Sequence, residues 1–191
     1  MTHAWTHADA LAALTSWTAP DHHQAALQQA YLGFLLARAD ATERACAPGH
    51  LTASAVLLSA DRDRTLLTLH PRVGRWLQLG GHCEDADSTL RGAALREATE
   101  ESGIAGLTIS PRPIHLEVHP ITCSLGVPTR HFDVRFVALA AAGAEPVISA
   151  ESDDLRWWPV EALPADTDPG LRAAVRAAVE HPIESVARQA H

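Results

Sequence analysis

Apolar positions recur with two different periods along this chain, and the changes of period divide it. Residues 7–18 and 21–39 carry apolar side chains at helical spacing. In the second stretch Ala25, Leu27, Tyr31, Leu32, Phe34, Leu35 and Leu36 form the stripe, and Asp21 stands as its N-cap. After Pro48-Gly49 the texture becomes β-compatible: HLTASAVLLSA and RTLLTLH, separated by Asp61-Arg62-Asp63, predict a hairpin. A short strand from Trp76 to Leu79 runs into Gly80-Gly81, and a helix follows over about 88–102, closed by Gly103. Further strands are expected near 106–110, 114–122, 130–140 and 153–158, and a last helix begins at Asp168. Strands and helices mixed in this order predict an α/β sandwich with an N-terminal helical extension. The expected division is an extension over 1–48, either a cap or a dimerisation arm, one domain over 49–182, and a tail over 183–191.

The middle of the chain carries the chemistry. In GGHCEDADSTLRGAALREATEESGI, Glu97, Glu100 and Glu101 lie three and four residues apart, so they share one helical face with Arg96 beside them. Three carboxylates on one face repel each other. An isolated acidic triplet would read as a solvated surface, but this one follows a glycine turn at a fixed distance. A divalent cation relieves the repulsion, and Mg²⁺ or Mn²⁺ combines carboxylates with water and substrate phosphate. Glycine at 80 and 81 lets the backbone approach closely enough for a main-chain carbonyl to join the shell.

The segment resembles the box of the Nudix hydrolases, G-x5-E-x7-R-E-U-x-E-E-x-G-U, where U is bulky and apolar. The match runs through Gly81, Arg96, Glu97, Ala98, Glu100, Glu101, Gly103 and Ile104. It departs at Asp87, which stands where the family has Glu and is separated from Arg96 by eight residues instead of seven. Ala98 is smaller than the usual apolar residue. The hairpin before the box, the Trp76 strand and ESDDLRWWPVEAL also resemble the family's layout, so the likeness covers about residues 50–180.

The resemblance implies a Nudix-like α/β/α sandwich and hydrolysis of a nucleoside diphosphate linked to another moiety, with Mg²⁺ or Mn²⁺ required. It assigns Glu97 and Glu101 as metal ligands, Glu100 as a further ligand or a base, Gly80 or Gly81 as a carbonyl donor, and Arg96 as the residue that orients a glutamate. In this family the general base also occurs on a later loop, which makes Glu151 the first candidate there, with Asp153 and Asp154 behind it. Two other readings stay open. One is an isoprenoid diphosphate isomerase, needing Cys83 and His82 to converge with a later Glu. The other is a Nudix-like sensor that binds a nucleotide without cleaving it.

Composition narrows the partners. A net charge of −8 and the absence of any basic run argue against nucleic acid, so an anionic substrate has to be held by a few Arg or by metal ions. The expected partner is a small nucleotide-like diphosphate, with a homodimer left open. All fifteen basic residues are Arg, which removes lysine-based mechanisms. Cys46, Cys83 and Cys123 form no CxxC pair and predict a reducing, cytoplasmic setting. No stretch approaches the roughly 18 apolar residues of a membrane span, and the N-terminus lacks a signal-peptide pattern.

Outside the box, His131, Asp133 and Arg135 alternate in RHFDVRF and share one side of a strand. They are either substrate contacts or a water-facing sheet surface. His70, His82, His115 and His119 fit no compact ligand spacing and read as scattered surface histidines. Trp76, Trp157 and Trp158 read as core.

Overall fold

Strand β1 (His50–Leu58) is buried at every one of its positions, so both of its faces have to be covered. It is the centre of an eight-stranded sheet in a computed structural model that describes residues 3–71, 73–122, 126, 128–148 and 152–182. Parallel to it along its full length runs β7 (Pro128–Leu139), from His50 opposite His131 to Leu58 opposite Leu139. The other edge of β1 is shared: its C-terminal end pairs with β2 (Arg64–His70), and residues 52–55 pair with β4 (Leu79–His82), both antiparallel. Outward from there, β2 also pairs with β3 (Arg75–Leu77) and β8 (Asp154–Pro159), while β7 pairs with β5 (Thr108–Ile109) and β6 (His115–Thr122).

The predicted hairpin is present, turned by Ser59 and Arg64 through a backbone hydrogen bond of 2.9 Å, with Arg62 in the left-handed region. The single strand expected at Trp76 to Leu79 is two, β3 and β4, which separate at Gln78 and reach different partners, β2 and β1.

Among the described residues, four helices cover this sheet. On one face lie α1 (His3–Ser16), α2 (His22–Ala37) and α3 (Leu90–Ser102), sharing a cluster in which Leu14, Tyr31, Leu35 and Leu90 meet Leu51, Ala53, Ala55 and Leu57 of β1. On the other face α4 (Pro169–Glu180) buries Leu171, Ala174, Val175 and Ala178 against Val56, Leu58 and Val137. The result is the expected α/β sandwich. Capping follows the sequence signals, with Asp21 accepting from Gln24 N and Asp168 from Leu171 N.

The second face of β1 changes character halfway along. Val56 and Leu58 are apolar under α4, whereas His50, Thr52 and Ser54 on the same side are buried and polar.

The N-terminal helices are integral to the core. Leu14 is fully buried, Tyr31 donates from its hydroxyl to the carbonyls of Glu117 and Asp133, and Gln24 exchanges two hydrogen bonds with the Leu116 backbone. Truncating such a side chain leaves a cavity as well as lost apolar contact. Leu14→Ala is therefore expected to lower the unfolding free energy by about 2–5 kcal/mol in urea denaturation.

Candidate active site

Helix α3 starts where Thr89 accepts from Gly92 N and where Asp9 of α1 accepts from Leu90 N at 2.8 Å. Two separate carboxylate or hydroxyl acceptors thus satisfy its first amides. It ends at Gly103, whose φ of 67° provides the left-handed C-cap. The buried face is Leu90, Ala93, Ala94, Ala98 and Ser102. Its small side chains let the helix lie close against β1 and β4, and Ala98 fits this role without the bulk usual in the motif.

That approach sets the glutamates against the glycines. Gly80 N donates to Glu101 Oε2 at 2.9 Å. A Cβ added at Gly81 would stand 2.6 Å from Glu97 Oε1, and one at Gly80 would stand 2.2 Å from Ser54 Cβ. A side chain at Gly81 would thus push the Glu97 carboxylate aside, and one at Gly80, whose φ is 155°, would collide with β1 at Ser54.

Arg96 organises the acidic groups. It forms a bidentate pair with Asp87, at 3.2 and 3.0 Å, and donates to Glu97 Oε1 at 3.1 Å, Glu100 Oε2 at 3.0 Å and the His82 carbonyl at 3.0 Å. Glu84 lies 3.7 Å from the same guanidinium. Burial opposes the charge of Arg96, but the Asp87 hydrogen bond and the charges of Glu97 and Asp87 raise its pKa further above the usual range. Asp87 also accepts from Glu84 N at 2.8 Å and is itself buried. The residue that departs from the motif thus closes the loop before α3 and anchors Arg96. Glu97 is mostly covered, whereas Glu100 is largely exposed.

Cys83 lies close to these groups but is enclosed. Its thiol lies in the apolar cluster beneath α3 and burial pushes its pKa up to about 12, with the Asp87 charge adding to the effect. It follows His82 on β4 and faces the opposite side of the sheet. The convergence of Cys83 and His82 that an isomerase requires is not formed.

His131, Asp133 and Arg135 do share a face of β7, but at Asp133 and Arg135 that face is closed to water, with 2% and 3% exposure. Asp133 accepts from Thr52, Ser54, Gln78 and Arg135, and Arg135 donates to the Gly170 carbonyl at the start of α4. Burial works against the Asp133 carboxylate, but the Arg135 charge and these hydrogen bonds hold its pKa below the ordinary value. The pair ties β1, β7 and α4 together beneath the surface, so neither of the two readings made from the alternation describes it.

Of the later acids, Glu151 lies outside the described residues. Asp153 N bonds to the Leu69 carbonyl, and Asp154 is ion-paired with Arg156 on β8. Trp76 and Trp158 pack edge to face and are partly buried against the α4 cluster, at the margin of the core and not inside it.

One grouping was missed by the sequence reading. His82 is not a scattered surface residue: it converges with His50 and His131, their ring nitrogens all lying within 4.8 Å of one another. The pairing of β1 with β7 and β4 brings them together, and no linear spacing reports that.

Together these elements define a class of site: an acidic helix seated on a diglycine strand end, with one arginine distributing the carboxylates, suited to a cation and a phosphate anion. The NUDIX domain pattern matches residues 48–178. No curated protein matches the chain. Among solved structures it is similar to a NUDIX-family hydrolase from Clostridium perfringens, at 25% identity and a TM-score of 0.51 over 69% of this chain and 94% of that one. It also resembles in fold the E. coli dihydroneopterin triphosphate pyrophosphohydrolase, at 23% identity and a TM-score of 0.55, covering 68% and 94%. A C. elegans Ap4A hydrolase aligns at 21% identity with a TM-score of 0.51, covering 66% and 93%.

The chain belongs to the NUDIX family. It is accordingly a hydrolase acting on phosphoric anhydride bonds, from a family that generally uses divalent metals. The two N-terminal helices lie outside the matched residues, although they share the core. Among the described residues, no helix is long and apolar enough to cross a membrane.

The Asp133 network gives a direct expectation. Removing one partner of a buried ion pair leaves the other charge uncompensated, so Asp133→Asn is expected to cost about 3–5 kcal/mol in chemical denaturation. Because the folded-state pKa of Asp133 is lowered, this contribution is complete above its unfolded value of about 3.9 and declines as pH falls through the folded value. The difference between wild type and variant should therefore shrink below about pH 4.

Proposed function

We propose that the chain is a Mg²⁺- or Mn²⁺-dependent pyrophosphohydrolase that cleaves a nucleoside diphosphate linked to another moiety. The observation that carries this reading is the seat of Glu97 on Gly81, a space that a side chain at 81 would fill, and of Glu101 on the Gly80 amide. The donors are carboxylate oxygens with a main-chain carbonyl available, which is the hard set that Mg²⁺ and Mn²⁺ prefer. Glu97 and Glu101 would hold the ion, with Glu100 and the Gly81 carbonyl as further donors. A bound ion supplies charge neutralisation of the diphosphate and a lowered pKa for water.

The remaining work falls to the chain. Arg96 keeps Glu97 and Glu100 oriented and spaced before substrate arrives, and its own position is set by Asp87 and the His82 carbonyl. Glu100, exposed beside Glu97, and Glu151 are the two candidates for removing the proton from the attacking water. Asp133 and Arg135 keep β1 and β7 in register beneath the site, and His131 lies on the same face of β7.

A panel of nucleoside diphosphate compounds assayed with each metal tests the proposal. Wild type should release a nucleoside monophosphate from at least one of them, and Glu97→Gln or Glu101→Gln should reduce the rate by at least about 100-fold with the fold retained, since loss of even outer-shell partners costs about 10–100-fold. Full activity in both variants would sink the assignment. Gly81→Ala should behave alike, with weaker Mn²⁺ binding by calorimetry, because its methyl group displaces Glu97.

A further inference from the structure

On strand β4 two adjacent residues serve opposite faces of the sheet. Gly81 is pressed against Glu97 on the side of α3, while His82 faces the other side, toward His50 of β1 and His131 of β7. His50 and His131 are register partners, and the three rings stand at centroid separations of 5.0, 4.9 and 5.0 Å. Among the described residues this is the one set of three His, Cys, Asp or Glu donors that converges to within 4.8 Å.

Packing alone does not account for the grouping. His50 is 1% exposed and at most one of its ring nitrogens is engaged, by the Cys46 backbone; Nε2 of His131 is buried and has no hydrogen-bond partner. A buried polar atom left without a partner is destabilising. A ligand that accepts lone pairs from imidazole removes that cost.

We propose that His50, His82 and His131 form a binding site for a zinc-class transition-metal ion, separate from the carboxylate site and independent of the function proposed above. The donors are all imidazole nitrogens, which suit Zn²⁺, Co²⁺, Ni²⁺ and Cu²⁺ and not the oxygen-seeking Mg²⁺. Three ligands leave one tetrahedral position open for water or an anionic oxygen. The charge of Asp133, on the same face, acts on His131 in the direction that offsets a cation, and the His119 ring flanks His131 at 5.4 Å as a further neighbour. A direct link joins the two sites, since the His82 carbonyl accepts from Arg96 at 3.0 Å.

The test uses the full chain, stripped of metal and titrated with Co²⁺ or Zn²⁺. One ion per chain should bind, with the intense visible bands of four-coordinate cobalt, and X-ray absorption of the zinc form should show imidazole nitrogens at about 2.0–2.1 Å. His50→Gln and His131→Gln, checked for fold by circular dichroism, should weaken this binding by at least about 100-fold, taking outer-shell losses of about 10–100-fold as the lower bound. Glu97→Gln should retain it. An all-oxygen shell, or binding lost in Glu97→Gln and kept in His131→Gln, overturns the site, as does the absence of binding in wild type. The absorption measurement on wild type decides the question even if the histidine variants do not fold. Failure of hydrolysis in the Glu97 variant with zinc binding intact separates this proposal from the preceding one.

Discussion

The arrangement rests on a single guanidinium. Three glutamates on adjacent turns of α3 repel one another, and the helix has no basic residue in its last turn to soften that. Arg96, partly withdrawn from solvent, bonds to Asp87, Glu97 and Glu100 and to the backbone at His82, so the acidic face is fixed before any cation arrives. In water such pairs are weak, but partial burial and bidentate geometry strengthen them. Asp87 is consequently a positioning residue: shorter than the Glu of the motif and one residue farther from the arginine, it still reaches the guanidinium with both oxygens.

What Arg96 does on one face of the sheet, Arg135 does on the other, in a drier setting. The polar half of that face is buried, so each carboxylate, hydroxyl and amide there needs a partner, and Asp133 supplies four hydrogen bonds' worth of acceptor to Thr52, Ser54, Gln78 and Arg135. The same face continues to the three histidines, where Nε2 of His131 is buried without a partner.

The N-terminal helices act on the site from outside the family-matched region. Asp9 caps α3 and Thr6 bonds to the Asp87 carbonyl, so α1 supports both the start of α3 and the loop before it. This contact connects residues 81 positions apart and has no counterpart in local pattern.

Much of the fold and the core of the site could be read from the chain alone, because they depend on local rules. Helical and strand periods located the elements, Asp21, Gly103 and Asp168 marked their ends, and the spacing of Arg96, Glu97, Glu100 and Glu101 on one helical face pointed to the chemistry. The tertiary structure decided whatever depends on register and burial. Alternation placed His131, Asp133 and Arg135 on one side, but only the covering by α4 and the pairing with β1 made two of them an interior ion pair. His50, His82 and His131 come from three strands, and hydrogen bonding between strands, which leaves no signature in sequence spacing, is what brings their rings together.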